Sequence, residues 1–472
     1  MTQNYDIQGS TQIVPSATQA VQNNYYQQPA PLTETHAAHT VVVLGAGVDE
    51  ALGLPASNSL IPRIVDWLNS DEGKAVDEAL RKQLKRLTFR FDKFVSDAID
   101  RLAKDLDRER EAICRNISEE LRQNEQLDET QKKMGTLIVR LFERITHLKQ
   151  GATIDEETET LIQEVLGIEA SDQSIIDFSK IPYTDTFRSI IVEILQKSMR
   201  EVNNPVLRHV YRNLLDIEQL LAQYFYGFFT DKQGYIKTYL YISWVLWAFI
   251  VHEEQEAITH FAETDQPLPI YSQLGGKEIQ LITFNYTSFA AAASSSALYF
   301  HGNLTDYVDI ENKNDLHIDD IRTLDLADFF ENRLPMELSL DSRRKAYPIP
   351  SFIPPLKLKP ILSDRYISIW YRSWEAIAQA KRVLILGYSV HDNERFFNDM
   401  LRNNRQAEII FIDRDWETVC RNLCATLQLS PDRYTQFAVS GHPARKYDNR
   451  ITVIQADLAE IDLGGWLEEE KM

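Results

Sequence analysis

Val41-Val42-Val43-Leu44-Gly45-Ala46-Gly47-Val48-Asp49, continued by Gly53-Leu54-Pro55, is the stretch whose reading decides the fold. Four apolar residues in a row predict a short strand buried on both faces. Glycines directly after it let the chain turn tightly and bring backbone N–H groups up to a pyrophosphate at the start of the next helix. That is a nucleotide-binding opening, although the same residues also make a plain tight turn in many α/β proteins. The first reading gains from Thr283-Phe284-Asn285-Tyr286, Tyr299-Phe300-His301-Gly302 and Leu384-Ile385-Leu386-Gly387-Tyr388-Ser389 far downstream.

Working outward, the runs Ile279–Phe284, Ala297–Phe300, Arg382–Leu386, Glu408–Ile412 and Ile451–Ile454 are short, apolar and bounded by polar turns. Helical stretches at Ile367–Ala380 and Asp392–Arg402 lie between some of them. Buried runs alternating with helices predict an α/β fold with a Rossmann-like parallel sheet covered on both faces. The first strand and its helix, residues 37–69, are separated from the remainder, residues 278–472, by a large all-helical insertion at 70–277. Within it, Leu84, Leu87, Phe91, Phe94, Ala98, Leu102 and Leu106 fall three or four apart and predict one face of a long helix. A crowd of aromatic residues between Tyr224 and Tyr241 predicts a buried hub or a subunit interface. Residues 1–36, rich in Gln, Thr, Asn, Tyr and Pro, offer no repeating apolar face and read as a disordered arm.

Composition bounds the function. The chain has 472 residues, 44% of them hydrophobic, so two structural units and a tail are expected. A net charge of −20 argues against direct wrapping of nucleic acid, which needs clustered Lys and Arg. Three cysteines, Cys114, Cys420 and Cys424, make no disulfide framework, and no secretory signal opens the chain, which together point to the cytoplasm. Cys420 and Cys424 have no second pair to complete a zinc site, so no metal is expected. The apolar run Tyr235–Val251 is shorter than the roughly 18 to 20 residues of a membrane span and reads as a core helix.

In doubly wound sheets ligands bind beyond the carboxyl ends of the strands, so the residue after each apolar run matters most. Those positions hold Gly45-Ala46-Gly47, Asn285, His301-Gly302, Gly387-Tyr388-Ser389 and Asp413-Arg414-Asp415. An imidazole there suits proton removal from a sugar hydroxyl or water. An amide orients such a group without adding charge. Asp413 suits a ribose diol, or equally a turn or a helix cap.

The order of these pieces resembles the sirtuin family, and particularly its bacterial antiphage-defence branch. The resemblance rests on Gly45-Ala46-Gly47 with Gly53-Leu54-Pro55, Thr283-Phe284-Asn285, His301-Gly302 and Gly387-Tyr388-Ser389; Pro354-Pro355 with Lys357 or Lys359, then Trp374, also look like that branch. It implies that NAD is the substrate and that the nicotinamide–ribose bond is broken. Gly45, Ala46 and Gly47 would then line the pyrophosphate, Asn285 would position water or the nicotinamide ribose, and His301 would be the general base. Gly387 and Ser389 would hold phosphate or ribose, and Asp413 the adenosine ribose. Sirtuin deacylases carry a zinc module of two cysteine pairs that this chain lacks, so water is the expected acceptor and an NAD glycohydrolase the expected activity. A deacylase or ADP-ribosyltransferase, or a non-catalytic NAD-binding scaffold, are the alternatives. The resemblance further implies an abortive-infection effector that is a homo-oligomer, gated by assembly or by a partner such as an ATPase or a nucleic-acid-guided protein. Three departures stand out: Asp49 where the family commonly has Ser, Thr287 where many members have an acid, and Ser57-Asn58-Ser59 in place of Asp-Phe-Arg. Asp49 would repel a pyrophosphate unless it turned away or took a ribose hydroxyl.

Overall fold

Val41, Val42, Val43 and Leu44 are wholly buried, because their strand lies in the middle of a sheet with both faces covered. In the computed structural model, residues 40–467 are described except 56–59, 92, 94–109, 125–126, 150–155, 167–189, 191–192, 195–196, 199–203, 215–232, 310, 313, 342–343, 354–364 and 391–393. The N-terminal arm, most of the aromatic crowd and Ser57-Asn58-Ser59 therefore lie outside the described residues.

The strands in chain order are β1 (Thr40–Leu44), β2 (Ile279–Thr283), β3 (Leu298–Tyr299), β4 (Gly302–Asp309), β5 (Asn314–His317), β6 (Ser339–Asp341), β7 (Arg344–Ala346), β8 (Pro348–Phe352), β9 (Arg382–Leu386), β10 (Glu408–Asp413), β11 (Thr435–Val439), β12 (His442–Tyr447) and β13 (Ile451–Gln455). The main sheet runs β11-β12-β13-β10-β9-β1-β2-β3. From β3 to β13 all neighbours are parallel, and β12 and β11 add an antiparallel ribbon at one edge. Among the parallel strands the spatial order is third, second, first, fourth, fifth, sixth, which is Rossmann-like. The winding reverses between β1 and β9, paired from Thr40↔Arg382 to Leu44↔Leu386. A crevice belongs at that reversal, beyond Leu44 and Leu386.

One face of the sheet is filled by Val41, Val43, Ile282, Val383, Ile385 and Phe411 with the helices Arg365–Gln379, Arg395–Asn403 and Trp416–Leu427. The other is filled by Val42, Leu44, Leu281, Leu384 and Ile412 with Ile270, Tyr271 and Phe289. A third core joins the insertion to the small antiparallel sheet β5-β4-β8. Its spine is the helix Gln233–Glu263, in which Trp244 and Trp247 are fully buried and donate their indole N–H groups to Pro348 O (2.9 Å) and Leu304 O (2.8 Å). Leu304, Tyr307, Val308, Ile349 and Phe352 thus share a core with the insertion. Among the described residues no helix is long and apolar enough to cross a membrane.

One expected element is corrected. The helix beginning at Asp71 stops at Gln83, and the chain turns through Arg86, at φ 64°. Leu84 and Phe91 are buried as the periodicity required, yet they sit on either side of this break. Arg81 stabilises it from the helix end, donating to Phe89 O at 3.1 Å and pairing with Asp77 at 2.8 Å. The positions from Phe94 to Leu106 lie outside the described residues.

Candidate functional site

The three glycines are explained first by one another. Gly45 N–H donates to Leu386 O (2.8 Å) and Gly47 N–H to Gly387 O (3.0 Å), so the turns after β1 and β9 are bonded backbone to backbone. A Cβ on Gly45 would lie 2.4 Å from Gly387 O, one on Gly47 2.8 Å from Gly387 Cα, and one on Gly387 2.7 Å from Val48 N. Gly387 also has φ +62°, a conformation glycine adopts without steric cost. The glycines are therefore needed to close the switch point, and part of the N–H set available to a pyrophosphate is spent on that closure. Ala46 is exposed beside them, and Ser389 is half-buried after β9, its carbonyl accepting from Asn422 at 2.8 Å.

Asn285, just past β2, reaches this turn. Its Nδ2 donates to Gly45 O (3.1 Å), Asp49 Oδ1 (2.9 Å) and Tyr271 OH (3.4 Å), bringing together residues 240 positions apart. Three acceptors fix which way the amide points and leave its oxygen as the end able to accept from water or a hydroxyl.

Asp49 is buried, and its carboxylate faces protein donors. Oδ1 accepts from Tyr271 OH at 2.5 Å and from Asn285, and Oδ2 accepts from Thr287 Oγ1 at 2.8 Å. Burial outweighs these hydrogen bonds and pushes its pKa up to about 6. Asp49 and Thr287 are thus one hydrogen-bonded unit that orients Asn285. Tyr271 is delivered to it by a strained turn: Ile270 has φ 61° and ψ −59°, and Tyr271 N–H bonds Pro269 O at 2.6 Å.

His301, following β3, is buried, with its ring 5.1 Å from that of Phe284. Its Nε2 lies 3.0 Å from Glu394 Oε2. An imidazole held by a carboxylate has a set orientation and a stabilised protonated form, the arrangement of a general base with its orienting group. Phe284 and Tyr388 stack at 5.1 Å and 7° between the ends of β2 and β9, so His301 and the Gly387 turn share one aromatic wall. Asp413 lies farther along the sheet, at the end of β10. Its Oδ1 accepts from Asp415 N–H (2.8 Å), and burial, with help from Asp415 and Glu50, raises its carboxyl to about 6. The helix cap at this corner is Asp415, which accepts from Thr418 N–H at 3.3 Å.

Sequence reasoning did not reach Glu394, Tyr271 or Glu254. Glu254 projects from the helix Gln233–Glu263 and accepts from Ser288 N–H at 3.0 Å and from the Ser288 hydroxyl; burial pushes it up to about 7. Cys420 and Cys424 are buried on the helix Trp416–Leu427. No protein-family model, curated protein or solved structure gives a significant match to this chain.

Asp49 and Glu254 set a pH dependence. Both folded pKa values lie above the ordinary carboxylate value, so between about pH 4 and about pH 7 the folded state holds protons that the unfolded chain has released. Stability from these groups is full below that window and falls as pH rises through it, by on the order of 3 kcal/mol for each. Urea midpoints at about pH 5.5 and about pH 8 should differ less in Asp49→Asn than in the parent. An equal difference in both would remove Asp49 from the account.

Proposed function

We propose that the chain is a sirtuin-type NAD glycohydrolase, converting NAD+ and water to nicotinamide, ADP-ribose and a proton. The observation that carries this reading is the meeting of Asn285, at the end of β2, with the Gly45 turn at the strand reversal, while the His301–Glu394 pair stands at the end of the neighbouring β3. Nicotinamide is a good leaving group, so the protein chiefly has to orient the ribose, tolerate charge developing on it and present a nucleophile. Asn285 holds the ribose or the water by its amide oxygen. His301 takes the proton, and Glu394 stabilises the imidazolium that results. Gly45, Ala46, Gly47, Gly387 and Ser389 form the mouth for the phosphates, with Asp413 toward the adenosine ribose. The pairing of the buried His301 with the half-buried Glu394 favours catalysis over a scaffold, since drawing an ionisable pair out of water is costly for mere packing.

A cell cannot tolerate unrestrained loss of NAD, so the activity belongs to a cytoplasmic defence effector released by assembly or a partner. The test is chromatography of NAD incubated with the protein. Free nicotinamide and ADP-ribose in equal amounts are expected. ADP-ribose attached to protein would mean transfer instead, and intact NAD at every protein concentration would contradict the reading.

A further inference from the structure

Glu253, Glu254 and Gln255 follow one another on the helix Gln233–Glu263, so their side chains leave it about 100° apart and meet three different segments. Glu253 pairs with Arg63, whose Nη1 donates to Gly53 O at 2.8 Å. Glu254, only 1% exposed, accepts from Ser288 N–H at 3.0 Å and from the Ser288 hydroxyl. Gln255 donates to Ile321 O (2.8 Å) and Leu324 O (3.0 Å), which fixes the segment from which Arg322 Nε reaches the same Ser288 hydroxyl at 3.0 Å.

Two of these routes end on Asp49. Leu54 N–H, next to Gly53, donates to Asp49 O at 3.1 Å, and Thr287 Oγ1, next to Ser288, donates to Asp49 Oδ2 at 2.8 Å. Tyr299 OH donates to Thr287 O at 2.9 Å, so the Thr287–Ser288 step cannot turn without breaking bonds on both sides. We propose that Glu254 is a positioning residue for Asn285: it holds Ser288, Ser288 carries Thr287, Thr287 holds the Asp49 carboxylate, and that carboxylate holds the Asn285 amide. The Glu253–Arg63 pair supports the same residue through its backbone. Of the two routes the one through Glu254 is the stronger, because its hydrogen bonds are buried and charge-assisted, whereas the Arg63 side chain is 40% exposed and its ion pair is weakened by water. Mere packing does not account for Glu254, since an apolar side chain would fill that interior position without the cost of burying a carboxylate.

Hydrogen exchange of the full chain, read by mass spectrometry, tests this transmission without any substrate. Glu254→Met keeps the side chain's bulk and removes both acceptors. It should speed exchange severalfold in Gly45–Leu54, although both hydrogen bonds of Glu254 go to Ser288, and leave the strand Glu408–Asp413 of the same sheet unchanged. Ser288→Ala cuts the same route without emptying the interior and should act on the same stretch. Glu254→Gln retains an acceptor for Ser288 N–H and should restore most of the parent's pattern. A rise spread evenly over the main sheet, or none in Gly45–Leu54 in either link-breaking variant, overturns the proposal. Glu253→Gln should give a smaller rise; an equal or larger one would make the Gly53 route the main one and overturn the assignment to Glu254.

Thr287→Val severs the bridge itself, so adding Glu254→Met to it should bring no further rise in Gly45–Leu54. An additive rise would mean that the effect bypasses Thr287, and overturns the route. The consequence for turnover rests on the glycohydrolase reading, whereas the exchange experiment does not. Glu254→Met should lower kcat for nicotinamide release about tenfold and leave KM for NAD within about twofold of the parent's, because Asn285 acts at the ribose rather than at the phosphates. An unchanged kcat, or a change in KM alone, overturns the positioning of Asn285 during turnover. A parent that releases no nicotinamide overturns the glycohydrolase reading, and the exchange pattern then decides the proposal alone.

Discussion

His301→Ala should lower nicotinamide release by about 10²- to 10⁴-fold while NAD still binds, because on the proposed glycohydrolase reading it deletes the group that takes the proton and leaves the glycine turns proposed for the phosphates intact. The imidazole is buried and held at 3.0 Å by Glu394, so its loss also takes that hydrogen bond from the carboxylate. Glu394→Gln separates the two effects. It keeps a hydrogen bond to the ring but removes the charge that stabilises imidazolium, so the rate should fall less and the acid limb of the pH–rate profile, where a general base becomes protonated, should move to lower pH. A Glu394→Gln profile that superimposes on the parent's would assign Glu394 a purely structural part. Undiminished turnover by His301→Ala would remove His301 from the chemistry altogether.

Gly387→Ala should damage the fold severely where the two turns meet. Its methyl group would lie 2.7 Å from Val48 N and 2.8 Å from Gly47 Cα, both backbone atoms that cannot swing aside, and φ +62° adds strain. A cost on the order of 4 kcal/mol, a large part of a typical domain's stability, is expected. Two comparisons divide it. Gly45→Ala adds crowding alone, at 2.4 Å from Gly387 O, whereas Gly276→Ala adds strain alone, at φ +72° with open space around it. Gly276→Ala should cost about 1 kcal/mol. Chemical denaturation of the three variants checks the order Gly387, Gly45, Gly276. If Gly387→Ala proves as mild as Gly276→Ala, the turns after β1 and β9 do not touch as described.

Much of the sheet was legible because its strands are buried on both faces. Val41–Leu44, Val383–Leu386 and Ile409–Ile412 are unbroken apolar runs, and the strands that hold them ended within a residue of the expected bounds. The ribbon β11-β12 gave no such sign: Thr435–Val439 is almost wholly exposed, and an edge strand facing water needs no apolar pattern. The sheet β5-β4-β8 was missed for a related reason. Its strands borrow their core from Trp244 and Trp247, on a helix far away in sequence. Residues at strand ends, Asn285 and His301 among them, could be anticipated from position alone. Their supports could not. Glu394 stood inside the expected helix Asp392–Arg402 with nothing to mark it as the partner of His301, Tyr271 arrives by way of a rare turn, and the role of Asp49 depends on which way a carboxylate faces.

Asp49 also changes how the glycine-rich opening is understood. Read as a string, an acid beside Gly45-Ala46-Gly47 threatens a bound pyrophosphate. In the folded chain its oxygens are engaged by Tyr271, Asn285 and Thr287, so the charge is turned from the mouth toward the amide it orients. Glu254 approaches the same turn from the insertion through Ser288, which gives the helical unit a physical link to Asn285.

The account stands most directly on where NAD lies, and a crystal structure with an uncleavable NAD analogue measures that. The account predicts the pyrophosphate at the meeting of the Gly45 and Gly387 turns. It places the anomeric carbon of the nicotinamide ribose between Asn285 and His301, with a water or hydroxyl within about 3.5 Å of the imidazole. An analogue bound elsewhere, or one whose nicotinamide ribose points away from both side chains, would contradict it.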